Sequence, residues 1–510
     1  MKTETRQTGA HADPSADAGS HARLQDRPQT PFTLRAASAL ILSGMTLYAA
    51  SAPHSIAGSW IGLGVAALGW LWRVLLTKQT GISRTALDLP IWLFVGWTLL
   101  SLLFSAEPRL SLSKLPSIST FLIFYLAQAT LTRRMAVGLA ALMIVSGVAG
   151  VLWSVTEVAR GRGVVVEEIA PESPLARHVP QLKKGDAVWR VGSRRVDSVT
   201  ELDEAIRQTP EGTPFKLFVI AGGEHVVWEV PGVGAELKEA DSPSGIRGER
   251  RMHRFRASGW TRHYQTFAEM LQMLAQLALG FALAAFMRRR GRRQTLLPAA
   301  AFALLATGIA LTAMRTVLVA FAVGACVIAW RATTEGRTQF AVSFIVVLAL
   351  ALGAFAVWRT RATGALWLRD DSAALRLSVA RRAVERVPLH PVFGHGMDAV
   401  NLHWQEWGFP GDETVHMHST WVQLAFDRGV PALIFWLLII GAFWLLLARA
   451  ERIWSDADSA ATHGFILGTT GALAGFFASS LVNYNFGDAE VAILLWWLMG
   501  ATVRTVSSEQ

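Results

Sequence analysis

The chain has 510 residues, 52% of them hydrophobic and 17% charged, with 20 Trp and a mean hydropathy of +0.34. That balance is too apolar for a soluble globular protein and predicts a polytopic membrane protein. The net charge of +10 does not argue for nucleic acid, because most basic residues fall in short clusters at the ends of apolar runs, where they set orientation.

Residues 1–30 are polar and lack an apolar core followed by a cleavage site, so they read as a disordered cytoplasmic tail and not as a signal peptide. A membrane span needs about twenty mostly apolar residues. Twelve runs qualify, some of them short: five within 31–158, four within 267–358 and three within 421–504. They include Leu89 to Phe104, Ser117 to Leu131, Phe340 to Trp358 and Trp421 to Leu447. The fold class expected is therefore an all-α polytopic membrane protein with a small α+β insertion after the fifth span. Arg73 with Lys78, Arg133 with Arg134, Arg288 to Arg293, Arg331 with Arg337, and Arg449 with Arg452 all alternate onto one side. Positive-inside bias then makes both termini cytoplasmic, including the 505–510 tail, and leaves Thr156 to Thr266 and Arg359 to Thr420 outside, in a bacterial periplasm.

The first external interval has its own pattern. From Gly163 short β-rich runs alternate with turns, and one helical stretch runs from Val199 to Arg207. The order Gly163-Val164-Val165-Val166, Ser173-Pro174-Leu175-Ala176, Leu182, Gly185-Asp186, Val196-Asp197-Ser198 and Glu201-Leu202 resembles a bacterial PDZ domain over residues 160–232. A linker, 233–266, follows. The resemblance implies strand addition of an extended peptide, with Val164, Val165, Val166 and Ile169 on the strand side and Glu201 on the helix side. The plainer reading is a spacer without a ligand.

Cys326 is the only cysteine and lies in an apolar run, which excludes an intrachain disulfide and a thiol metal cluster. Arg315 interrupts apolar sequence at a turn on the external side, against the positive-inside bias. A cation there is costly unless paired, so it either snorkels, joins a structural ion pair or binds phosphate. In the second external interval, 359–420, the stretch Asp371 to Val387 has helical periodicity and stops at Pro388. Leu375, Val379, Ala383 and Val387 form its apolar stripe, and Arg376 projects among them, misplaced for a solvated face. A guanidinium in that position can grip two phosphate oxygens. Arg381, Arg382 and Arg386 read as interfacial or exposed.

His390 to Gly396 is turn-rich, and His416 and His418 precede the tenth run. A histidine at the membrane surface suits proton transfer from a sugar hydroxyl. His418 is the strongest candidate, with His416 and His395 as substrate contacts. His416 and His418 with Asp412 or Glu413 would be the alternative metal reading, but no H-E-x-x-H spacing occurs, and neither metal nor cofactor is expected.

Arg315, the external helix with Arg376, His390-Pro391-Val392-Phe393-Gly394-His395-Gly396, and His418-Ser419 followed after nine residues by Gly429 together resemble the O-antigen ligase and polymerase superfamily of bacterial inner membranes. The ligase pattern holds up to its last position, where Ala432 stands. The resemblance implies a catalytic loop at 359–420 that moves a glycan from undecaprenyl pyrophosphate to a lipid A-core hydroxyl at the periplasmic face. Arg315 and Arg376 would hold the diphosphate and His418 would act on the acceptor proton. Arg256, His263 and Tyr264, just before the sixth span, would close the site. Rival readings within the superfamily are a polymerase, whose acceptor is a second lipid-linked glycan, and a protein O-oligosaccharyltransferase, for which a peptide-gripping module makes sense. A PDZ-bearing intramembrane metalloprotease would need H-E-x-x-H. A transporter would place its charges nearer the membrane midplane and show internal repeats.

Overall fold

The structure is a computed structural model and describes residues 32–231, 234, 241–248, 250–333, 371–411, 416–455 and 459–507. Its elements in chain order are α1 Phe32–Ser51, α2 Ile56–Thr77, α3 Asp88–Ser101, α4 Pro108–Ser113, α5 Leu115–Ile118, α6 Leu122–Thr130 and α7 Arg133–Arg160. The α/β unit follows, with β1 Val164–Val165, β2 Glu168–Ile169, α8 Pro174–His178, β3 Ala187–Val191, β4 Arg194–Arg195, α9 Val199–Arg207, β5 Phe215–Ala221, β6 Glu224–Val230 and β7 Ile246–Arg247. Then come α10 Tyr264–Met287, α11 Arg292–Leu311, α12 Arg315–Ala332, α13 Asp371–Arg386, α14 Val400–His403, α15 Thr420–Arg428, α16 Val430–Ser455, α17 Ala460–Ser480 and α18 Ala489–Ser507.

Among the described residues eight helices are long and apolar enough to cross a membrane: α1, α2, α7, α10, α11, α12, α16 and α18. The count of twelve differs for physical reasons. Leu89 to Phe104 and Ser117 to Leu131 form shorter apolar helices, the second broken by the 3₁₀ turn Ser119–Phe121. The run 460–480 is a 21-residue helix, α17, rich in Gly, Ser and Thr and almost wholly buried. Phe340 to Trp358 lies outside the described residues, as do the 1–30 and 508–510 tail positions. Trp421 to Leu447 is not one helix but two, α15 and α16, because Gly429 takes φ +83° between them.

Helix pairs approach closely where side chains are absent. A Cβ on Gly280 of α10 would strike the Gly464 and Gly468 backbone of α17, and one on Gly44 of α1 would strike Gly62 and Ala66 of α2. Small residues bring membrane helices into backbone contact, where dispersion and not hydrophobic transfer holds them. At one end of the bundle cations gather: Arg133 stacks on Trp454, Arg288 donates to the Trp454 carbonyl (2.8 Å), Arg73 to Ala129 (2.6 Å) and Arg504 to Leu131 (3.1 Å).

The α/β unit has a five-stranded antiparallel sheet in the order β1-β3-β5-β6 with β4 on β3, and a separate pairing of β2 with β7. Val166, Leu175, Val188, Leu202, Ile206, Leu217 and Val219 make its own core. Ser198 caps α9 by accepting from the Glu201 N–H (3.2 Å), while the Glu201 carboxylate accepts from the Asp197 N–H (2.8 Å). The edge expected to receive a peptide is covered by the chain itself. The N–H groups of Val165, Glu167 and Ala170 donate to the carbonyls of Arg250, Arg247 and Gly245. Val164 and Val166 are buried and Ile169 pairs with Ile246, so a strand added alongside them would have to displace Gly245, Ile246, Arg247 and Arg250.

Candidate functional site

Four parts of the chain converge at the end of the bundle away from the cation cluster. The central one is the turn into α15. Ser419 caps that helix through the Val422 N–H (3.4 Å), and the Thr420 N–H donates to the Asn483 carbonyl (3.1 Å) while its hydroxyl donates to Asn485 (2.9 Å). His418, just ahead of the cap, stands at φ +52°, a left-handed conformation that is rare for a residue with a side chain. Its neighbour is tethered: the Met417 N–H donates to the Gln423 side-chain oxygen (2.7 Å), and the Gln423 amide donates to Asp427 (2.9 Å). The His416 and His418 rings meet edge to face with centroids 4.5 Å apart, and the His416 ring lies 6.0 Å from that of Tyr484.

The second part is α13. Its stripe packs as its periodicity predicts, Val379 and Ala383 fully buried against Trp404, Trp407, Phe409, Met417 and Phe426. That packing brings Arg376 within electrostatic reach of the histidine pair. Burial first, then His416 and the Arg376 cation, push His418 down to about 3. Burial and then Arg376 also lower His416, with His263 adding to the effect. Both rings are therefore neutral at neutral pH, and each keeps one nitrogen able to accept a hydrogen bond.

The third part is the start of α12. Thr316, next to Arg315, accepts from the Asn483 side chain (3.1 Å), and Asn483 also donates to Ser479 (2.9 Å), which in turn donates to the buried Glu269 of α10 (3.2 Å). Arg376 lies within electrostatic reach of Glu269. The sequence-predicted set Arg315, Arg376, His416 and His418 is thus brought to one locality. Asn483, Gln423, Asp427 and Glu269 join it unannounced. An acidic residue in the apolar run beginning at Phe267 was the one available signal for Glu269.

The fourth part precedes α10. Arg256 sits over the Tyr264 ring (4.6 Å), which stacks on His263 (4.5 Å), and Thr266 donates to Asp488. His263 approaches from the other external interval and influences His416. His395 is placed differently. It is 3% exposed, stacked on Phe426 (4.4 Å) and bonded to the Arg386 carbonyl (3.2 Å), and burial drives it down to about 4. It is a core histidine that fixes the 390–396 turn, not a group facing the His416 and His418 rings. Arg382 and Arg386 also pack inward, onto the Trp407 carbonyl and ring. Asp412 and Glu413 lie outside the described residues.

The glycines of the two loop motifs explain each other. The Val430 N–H donates to the Pro391 carbonyl (2.8 Å), and a Cβ on Gly429 would meet the Val392 carbonyl. A Cβ on Gly394 would strike the Asp427 and Arg428 backbone. The His390–Gly396 turn and the His418–Gly429 helix are therefore halves of one packed unit.

Residues 300–437 match the O-antigen ligase family. The matched stretch runs from α11 through α12, α13 and α15 into α16, and it contains Arg315, Arg376, His416 and His418. It supports a membrane glycosyltransferase of the O-antigen ligase or polymerase type, one that takes a lipid-linked glycan donor and an acceptor. No curated protein matches the chain.

Proposed function

We propose that this protein transfers a glycan from undecaprenyl pyrophosphate to a hydroxyl of lipid A-core, at the periplasmic face of the inner membrane. The observation that supports this most is the approach of Arg376 to two neutral histidines at the α15 cap, with the Arg315 turn bonded into the same hub. When the anomeric bond breaks, negative charge grows on the departing diphosphate, and fixed guanidinium groups of Arg315 and Arg376 stabilise it. His418 accepts a hydrogen bond from the acceptor hydroxyl on the opposite side and takes its proton as the new glycosidic bond forms.

The arrangement also couples donor binding to base strength. In the free protein the Arg376 cation helps to hold His418 low. A diphosphate on Arg376 offsets that cation, so His418 becomes a stronger base once the donor is seated. Arg256, His263 and Tyr264 cover the site from the other external loop.

The test is transfer by the purified protein from lipid-linked glycan to candidate acceptors in the presence of chelator. Product with lipid A-core supports the ligase. Product only with a second lipid-linked glycan reassigns the protein as a polymerase, and product only with polypeptide as a protein glycosyltransferase. Arg376→Ala and His418→Ala should each cut transfer by about 10²-fold or more at normal protein level. Full activity in either variant removes that residue from the mechanism.

A further inference from the structure

Tyr484, whose ring lies 6.0 Å from that of His416, also walls a partly polar cavity of about 170 Å³. It is walled by α3, α5, the turn at Met397 and Asp398, the end of α15 and the start of α18. Asp427 and Arg428 line it at only 3% and 6% exposure. Among the described residues Asp427 Oδ1 and Arg428 Nε have no hydrogen-bond partner. A buried polar atom left without a partner loses its hydration without recompense, and two such atoms on adjacent residues of one cavity wall mark a place where a polar guest belongs.

The charges of the wall say which guest. Lys114 and Asp398 pair at the mouth, with side chains 43% and 22% exposed, and Asp427 and Arg428 stand deeper. Lys114 and Asp398 neutralise each other, and burial pushes Asp427 up to about 7, so its carboxyl can donate as well as accept. A phosphate would have to bring its charge up to Asp398 at the mouth, whereas a neutral polyol can donate to the carboxylates and accept from the guanidinium and ammonium groups without breaking the pair. Phe94, Phe486 and Trp496 supply apolar surface for the faces of a ring.

We propose that this cavity is a neutral-sugar subsite, seating one ring of a glycan whose neighbouring unit reacts at His418. The assignment of that glycan to donor or acceptor rests on the glycosyl-transfer reading; the sugar binding itself does not.

The experiment uses the full chain in detergent micelles, with saturation-transfer NMR against glucose, galactose and N-acetylglucosamine, and glucose 6-phosphate as the charged comparison. Neutral sugars should bind at millimolar concentration and the phosphate at least tenfold more weakly. Asp427→Asn and Arg428→Gln should each weaken neutral-sugar binding at least tenfold, Arg428→Lys should recover part of it, and Gln79→Ala, exposed at the other end of the bundle, should leave it within twofold. Lys114→Met, at the exposed rim, should weaken it severalfold and carries the test if the buried variants do not fold. In the transfer assay Arg428→Gln should raise KM for one substrate, and which KM moves identifies donor or acceptor. Absence of sugar binding by the folded wild type, or equal binding by the folded variants, overturns the subsite and leaves a water-filled cavity. Sugar binding without transfer to any acceptor keeps the subsite and overturns the transferase.

Discussion

His418 is held in a conformation that costs a side-chain-bearing residue about 1–3 kcal/mol. Gln423 is the residue that holds it there, gripping the Met417 amide at one end and Asp427 at the other. Gln423→Ala should therefore lower kcat for transfer about tenfold or more with KM for the lipid-linked donor little changed, because the loss lies in the aim of His418 and not in diphosphate binding. An unchanged kcat would show that the φ +52° turn stands without the tether. The histidines also set an acid limit. His395 and His225, both held near 4 mainly by burial, bind protons more readily unfolded, where their ordinary value is 6.5. Their contribution to stability is complete above about pH 6.5 and is lost as pH falls toward 4. His395→Phe keeps the stack on Phe426 and removes one of these protonations, so it should shrink the fall in Tm between pH 7 and pH 5, measured by thermal unfolding in detergent. The chain order placed His395 among glycines in a turn, which reads as a contact loop. That Phe426 and Trp407 enclose it is long-range packing that no local pattern carries.

Among the elements, the junction of α15 and α16 shows what spacing can and cannot tell. Hydropathy joins Trp421 to Leu447 into one span, since a single glycine does not interrupt an apolar average. The nine-residue interval from Ser419 to Gly429 marked the glycine as special, but its reason is the Val392 carbonyl lying where a Cβ would be, together with φ +83°. Gly429→Ala should cost at least about 1–3 kcal/mol in backbone strain alone and should loosen the 391–394 turn from α15. The measurable outcome is a lower Tm with loss of transfer. Gly441, further along α16 with open space around it, is the matched comparison. Gly441→Ala should leave both quantities unchanged or slightly improved, since alanine is the better helix former. Equal effects at the two positions would mean that helix propensity, and not the fit against Val392, governs this region. The stripe of α13 was legible because a 3.6-residue period needs no knowledge of its partner, and its packing leaves Arg376 within electrostatic reach of the histidines.

For the whole molecule, the alternation of basic clusters anticipated a real segregation. Arg73, Arg133, Arg288 and Arg504 meet backbone carbonyls or the Trp454 ring at one end, while His263, Arg315, Arg376 and His418 assemble at the other. The polar hub of Asn483, Thr316, Ser479 and Glu269 was not legible, because it joins residues more than a hundred positions apart through single hydrogen bonds. The positive-inside bias predicts which end faces outward, and the prediction is open to direct measurement because the chain has a single cysteine. In a Cys326→Ser background, Ser193→Cys in the β3–β4 turn and Gln405→Cys after α14 occupy exposed positions at the His418 end. Gln79→Cys after α2 and Gln294→Cys at the start of α11 occupy exposed positions at the cationic end. In spheroplasts a membrane-impermeant maleimide should label the first pair at once and the second pair only after permeabilisation. The reverse pattern would put the guanidinium groups and His418 on the cytoplasmic side, where a periplasmic acceptor could not reach them, and the proposed reaction would have to be given up even if the site geometry stood.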